Sequence, residues 1–193
     1  MSIQLTCLTW DDVNKLSDEL ARLIVKADFV PDVIVAVSRG GFVPARILCD
    51  LLDVRDLVSM SMSYYTDIGQ RGPEPLVQHP LNANVAGRKV LLVDDVSDSG
   101  RTLQAALVHL RGKSPGDVKV ATIHYKPWAV LKPDFFVVET RFWLVYPWEL
   151  AESIRSLSRR FMSEGLGRAE TSARLVSMGF RKRDVEPQLD RVG

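Results

Sequence analysis

Cysteine is scarce. Cys7 and Cys49 are the only two in 193 residues, and both sit in apolar surroundings without metal-ligand spacing. Buried free thiols in a reducing cytoplasm are expected, ahead of a disulfide. The three histidines, His79, His109 and His124, pair with no acid or cysteine in a metal-binding pattern. No apolar run approaches the length that spans a bilayer, so no membrane span is expected. Met1-Ser2-Ile3-Gln4 lacks the basic and then apolar pattern of a signal peptide. Charge of one sign is also missing: 25 Lys and Arg face 24 Asp and Glu. A chain this neutral lacks the overall footprint of a nucleic-acid binder. There is no Gly-x-x-x-x-Gly-Lys-Ser/Thr for a nucleotide P-loop and no Gly-x-Gly-x-x-Gly for a dinucleotide. What remains, 46% apolar and 25% charged residues, is the balance of one soluble domain with a sizeable core and room for a small appendage.

The apolar pattern alternates between two periods. Thr9-Trp10-Asp11-Asp12 opens a helix, with Thr9 as cap and Asp12 at the third helical position. Val13, Leu16, Leu20, Leu23, Ile24 and Ala27 then form one stripe. Asp32 to Val37 is a short continuous run, as a strand buried on both faces would have. Ser38-Arg39-Gly40-Gly41 turns the chain into a helix marked by Val43, Ile47, Leu48, Leu51 and Leu52. Leu57 to Met62 reads as a strand, and Tyr64 to Gly87 as a long irregular loop with a short hairpin near Leu76-Val77-Gln78. Further strands are expected at Lys89–Asp94, Val118–Tyr125, Phe135–Glu139 and Phe142–Tyr146, with a helix carrying Leu103, Ala106, Leu107 and Leu110. Strands alternating with helices imply an α/β fold: a mostly parallel twisted sheet with helices on both faces, its ligands at the carboxyl ends of the strands. Residues 151–193 differ, with nine Lys and Arg against six Asp and Glu and two helical stripes. They are expected to form a helical extension beyond a domain of residues 1–150.

Val90 to Thr102, Val-Leu-Leu-Val-Asp-Asp-Val-Ser-Asp-Ser-Gly-Arg-Thr, carries the most chemistry. An apolar strand ends in two adjacent acids, and a turn of Ser, Asp and Gly leads into a helix. Unpaired amides at a helix N-terminus seat a phosphate. Gly100 lets backbone approach the anion, and the Ser99 and Thr102 hydroxyls add donors. Carboxylates beside a phosphate seat make sense when the ligand also brings hydroxyls or a metal ion, as a phosphorylated sugar with Mg²⁺ does. A merely capped helix start would leave the order of acids unexplained.

This stretch resembles the phosphoribosyl-diphosphate (PRPP) signature of type I phosphoribosyltransferases. The resemblance runs from about Leu8 to Glu149. Trp10, Ser38-Arg39-Gly40-Gly41, Lys126-Pro127-Trp128 and Tyr146-Pro147-Trp148-Glu149 are similar to the small archaeal and bacterial 6-oxopurine enzymes, which act on hypoxanthine, guanine or xanthine. The resemblance implies a transferase of purine salvage, a small hood region beside the sheet, a cytoplasmic homo-oligomer (dimer or tetramer), and PRPP and a purine base as substrates. It implies that Asp94 and Asp95 hold the ribose hydroxyls directly or through Mg²⁺, with Glu149 as a further acid near metal and base. Asp98, Ser99, Gly100, Arg101 and Thr102 would bind the 5′-phosphate, and Asp98 would sit near purine N7. The Ser38–Gly41 loop would grip diphosphate, often through a cis peptide before the Arg39 position, with Arg39 offering paired donors.

Ser63-Tyr64-Tyr65 resembles the lid that folds over the reacting centre; either tyrosine fits, and either also fits an aromatic anchor. Arg71 would add charge to the closed lid. Lys126 matches the lysine that donates to the purine 6-oxo group, although lone lysines are usually solvated. Trp143 and Leu144 match the base-stacking ring and the main chain that reads the base edge, whereas by composition alone Trp143 is a core tryptophan. A competing reading is a transcriptional regulator that binds PRPP or nucleotides and keeps only the fold. The full acid set, the intact loop and Lys126 stand against it; the Arg181-Lys182-Arg183 run stands for it.

Overall fold

The computed structural model describes residues 4–65 and 74–192. In chain order the elements are β1 (Leu5–Cys7), α1 (Trp10–Lys26), β2 (Val33–Ser38), α2 (Phe42–Leu51), β3 (Leu57–Tyr65), β4 (Glu74–His79) and β5 (Lys89–Ser97). They continue with α3 (Arg101–Arg111), β6 (Asp117–Tyr125), β7 (Phe135–Glu139), β8 (Trp143–Val145), α4 (Leu150–Ser163), α5 (Arg168–Ser177) and α6 (Lys182–Leu189). They divide into two compact units, residues 13–141 and residues 1–12 with 142–193.

The larger unit holds a six-stranded sheet in the order β4-β3-β2-β5-β6-β7. Every pairing is parallel except β3 with β4, the antiparallel edge that the Leu76-Val77-Gln78 hairpin anticipated. Central strands β2 and β5 are continuous apolar runs because both of their faces are covered: Val33 to Val37 and Val90 to Val93 are buried throughout. Val33, Val35, Val37, Val90 and Leu92 form one face and pack with Leu103, Ala106 and Leu110 of α3. From β2 the chain crosses to β3, and from β5 it crosses the other way to β6. The carboxyl ends of neighbouring β2 and β5 therefore lie at a topological switch point, where such sheets hold ligands.

In the smaller unit, β1 and β8 make a two-stranded parallel sheet with Cys7 opposite Val145. Two strands of three residues cannot bury themselves. Val145 is buried in a cluster with Ile154, Phe161, Leu175, Phe180, Val185 and Leu189, against which Leu5 and Cys7 pack. Residues 151–189 thus share a core with β1 and β8 rather than forming an isolated tail. The tail has three helices where two stripes were legible; α6 is short, polar and interrupted by Pro187. Thr9 caps α1 as its spacing predicts: Oγ1 accepts from the Asp12 amide (3.1 Å), and Asp12 Oδ2 accepts from the Thr9 amide (2.9 Å). Tyr146 and Trp148 stack with rings 4.6 Å apart, and Trp10 meets Trp148 at a tilt, centroids 5.9 Å apart. Both cysteines are free, Cys49 buried and Cys7 partly so.

Candidate active site

Two turns of the larger unit meet at the switch point. Ser38 ends β2, and the Ser38–Arg39 peptide is cis. Arg39 is exposed, Gly40 half-buried and Gly41 buried. Gly41 donates its amide to Val37 O (2.9 Å), which folds the turn tightly into α2. A Cβ on Gly40 would run into the Asp95 carboxylate. Glycine is therefore required here by the close approach of the β5 acid and not by turn geometry alone.

At the end of β5, Asp95 is buried and Asp94 half-buried. Each carboxylate accepts from the amide that follows it, Asp94 Oδ1 from Asp95 (3.0 Å) and Asp95 Oδ1 from Val96 (2.8 Å). Burial and then the Asp95 charge push the Asp94 carboxyl well above the usual carboxylate range, opposed by the Asp95 and Gly41 amides. A carboxyl whose proton affinity is raised by a neighbouring carboxylate is suited to a partner bringing hydroxyls or a cation.

Asp98 and Ser99 lie exposed in the following turn, and Arg101 and Thr102 start α3. Gly100 caps the helix at φ 75°, a left-handed conformation, and a Cβ there would lie 2.6 Å from the Leu131 amide nitrogen. That closeness reflects a link to the segment after β6. Lys126 donates its amide to Ser97 O (3.0 Å), Val130 donates to Ser99 O (2.9 Å), and Ser97 Oγ donates to Leu131 O (2.8 Å). The 126–131 segment is laced to the back of the 97–100 turn.

Lys126 is only 4% exposed. Burial lowers its pKa, and the Asp98 charge works in the opposite direction, so the two side chains feel one another. Two residues earlier, His124 is buried and held neutral by burial and by Lys126, at about 4. The Trp128 ring lies with its centroid 5.6 Å from Lys126 Nζ. Of the residues expected to form a lid, Ser63 is half-buried on β3, the backbones of Tyr64 and Tyr65 end that strand, and Arg71 lies outside the described residues.

Trp143 and Leu144 belong to the smaller unit, on β8. Trp143 is 59% exposed, which argues against the core tryptophan that composition favours. Glu149 Oε1 accepts from the Tyr146 amide (3.1 Å) and closes the turn before α4. Among the described residues, no three His, Cys, Asp or Glu side chains gather as a resident metal site.

Residues 9–151 match the family model of the phosphoribosyl transferase domain. The chain belongs to the phosphoribosyltransferase family. It is 32% identical over 145 residues to the xanthine-guanine phosphoribosyltransferase of Idiomarina loihiensis, covering 74% of this chain and 86% of that one. Among solved structures, the purine phosphoribosyltransferase of Pyrococcus horikoshii aligns with a TM-score of 0.68 and 33% identity, over 76% of this chain and 94% of that one. A Neisseria gonorrhoeae protein with bound ppGpp aligns with a TM-score of 0.70 and 29% identity, over 77% of this chain and 91% of that one. This phosphoribosyltransferase thus has the parallel sheet and flanking helices of its family, and the family match ends where α4 begins.

Sequence reasoning missed three features of the phosphoribosyltransferase. The contact between Gly40 and Asp95 joins residues 55 positions apart and has no local signal. The lacing of 126–131 to 97–100 is carried by backbone groups and so is invisible in side-chain pattern. The placing of Trp128 against Lys126 depends on the turn between them; the aromatic two residues after the lysine was the available cue.

Proposed function

We propose that this phosphoribosyltransferase moves the phosphoribosyl group of PRPP to N9 of a 6-oxopurine, hypoxanthine, guanine or xanthine, and releases diphosphate. One observation carries the reading: an anion-suited turn and an acid pair from neighbouring parallel strands converge at the switch point, with Gly40 against Asp95. The amides and hydroxyls of Asp98 to Thr102 take the 5′-phosphate, and Asp94 and Asp95 accept from the ribose hydroxyls. As the bond from C1 to the diphosphate oxygen breaks, negative charge gathers on the leaving group. Arg39 and the amides of the 38–41 turn stabilise it there, where it counts most for rate. The N9 lone pair then closes on C1, and Asp98 near N7 manages the proton that the purine gives up. Lys126 donates to the 6-oxo group.

The carboxylates of Asp94 and Asp95 are hard oxygen donors fitted to Mg²⁺ carried in with the diphosphate. Bound there, the cation would neutralise phosphate charge. Ser63 with Tyr64 or Tyr65 closes over the site and keeps water from the ribose. Assembly as a homo-oligomer and a cytoplasmic location belong to the same reading; no helix among the described residues is long and apolar enough to cross a membrane.

The test is diphosphate release on addition of each base to enzyme, PRPP and Mg²⁺. Turnover with hypoxanthine, guanine or xanthine and none with adenine is expected, and silence with all three would overturn the reading. A second reading, a binding protein without turnover, is favoured by the ppGpp-bound Neisseria gonorrhoeae neighbour. It predicts ppGpp binding with no diphosphate release.

A further inference from the structure

We propose that Trp128 is a positioning residue for the purine site, holding the Lys126 ammonium in place with the face of its indole ring. This rests on the reading that Lys126 meets the 6-oxo group. The 126–129 segment is a tight turn, closed by the Ala129 amide on Lys126 O (3.0 Å). The turn folds the Trp128 ring back toward the side chain two residues before it, 5.6 Å from Nζ to the ring centroid. Attraction between a cation and an aromatic face reaches to about 6 Å and strengthens where water is excluded. Lys126 is 4% exposed, so its end of the pair is the sheltered one.

The exposure of Trp128 points the same way. At 52% the indole leaves half of its surface in water, so burial in a core does not explain it. A second cation faces the same ring: Arg141 Cζ lies 6.0 Å from the centroid. The ring meets two cations, one from the turn's own start and one from the loop after β7. Arg141 fixes the ring, and the ring fixes the lysine. A flexible four-carbon side chain thereby loses rotamers before the base arrives, so less ordering remains to be done on binding.

The geometry assigns Trp128 a role that acts through Lys126, and a double-mutant cycle reads that directly. Trp128→Leu should raise the KM for hypoxanthine by about fivefold, the scale of one sheltered cation–ring contact. The KM for PRPP and the melting temperature should stay within error. Trp128→Phe, which keeps a ring face, should restore most of the loss. In a Lys126→Met background, Trp128→Leu should add no further change in hypoxanthine KM. An equal loss in that background would overturn the proposal, because Trp128 would then act on the base or the fold by itself. So would a parallel rise in PRPP KM, or a Trp128→Leu enzyme with unchanged hypoxanthine KM while Lys126→Met is impaired. If Lys126→Met itself leaves hypoxanthine KM unchanged, the assignment of Lys126 to the base fails, and this proposal with it.

Discussion

The carboxyl edge of the large sheet and the helices after residue 150 solve opposite problems. At the edge, two adjacent acids are brought together on one strand, and a glycine is held against one of them. In the helices, charges are paired off: Arg168 with Asp190 (2.6 Å), Arg181 with Asp184 (2.6 Å), Arg174 and Arg160 both with Glu164. Glu170 accepts from the Gly167 amide and caps α5. Phe161, Leu175, Phe180 and Leu189 fill the middle at 2% exposure or less. One region sets like charges side by side; the other pairs opposite charges. The difference separates residues whose replacement should cost activity from those whose replacement should cost stability.

Phe180→Ala should give the largest effect. Truncating a buried aromatic in a three-helix cluster costs about 3–5 kcal/mol, read as a lower midpoint in urea unfolding. An unchanged midpoint would break the claim that Phe180 belongs to the core these helices share with β1 and β8. Gly40→Ala comes next, on the other side of the comparison. A methyl group forced against Asp95 should displace the acid or the turn and lower kcat/KM for PRPP about 100-fold, measured by steady-state kinetics.

Asp94→Asn separates the two regions most sharply. A carboxyl whose folded pKa is raised binds more protons folded than unfolded, so stability falls as pH rises from the ordinary carboxylate range toward that raised value. Replacing it should raise the melting temperature of the ligand-free protein at pH 7 and remove that part of its pH dependence. The same variant should lose protection by PRPP, and thermal scans with and without PRPP check both. The smallest effect belongs to Glu164→Ala, which removes the partner of two exposed arginines. Surface pairs of this kind contribute about 0–1 kcal/mol, so a shift in the urea midpoint at the edge of detection is expected.

How much of this was legible depends on whether a feature is local. Strands β2 and β5 announced themselves because a strand covered on both faces needs an unbroken apolar run. The 94–102 turn was legible because its chemistry lies in consecutive side chains. By contrast β1, three residues long, carries no period that can be counted, and its pairing with β8 joins Cys7 to Val145 across most of the chain. The third tail helix hid behind Pro187 and five polar or charged residues of its eight. Trp10 and Tyr146-Pro147-Trp148, which carried part of the family resemblance, pack on one another in the smaller unit, so a recognisable motif can mark packing as readily as chemistry.

The lacing between Ser97–Gly100 and Lys126–Leu131 has a consequence for the order of events. The donors that would seat the sugar's anion and the lysine that would meet the base hang on a shared backbone. Should the first settle when PRPP arrives, the hydrogen bonds to the carbonyls of Ser97 and Ser99 are the route by which the second would follow. Such linkage is reciprocal: a base that binds better after PRPP must tighten PRPP to the same degree.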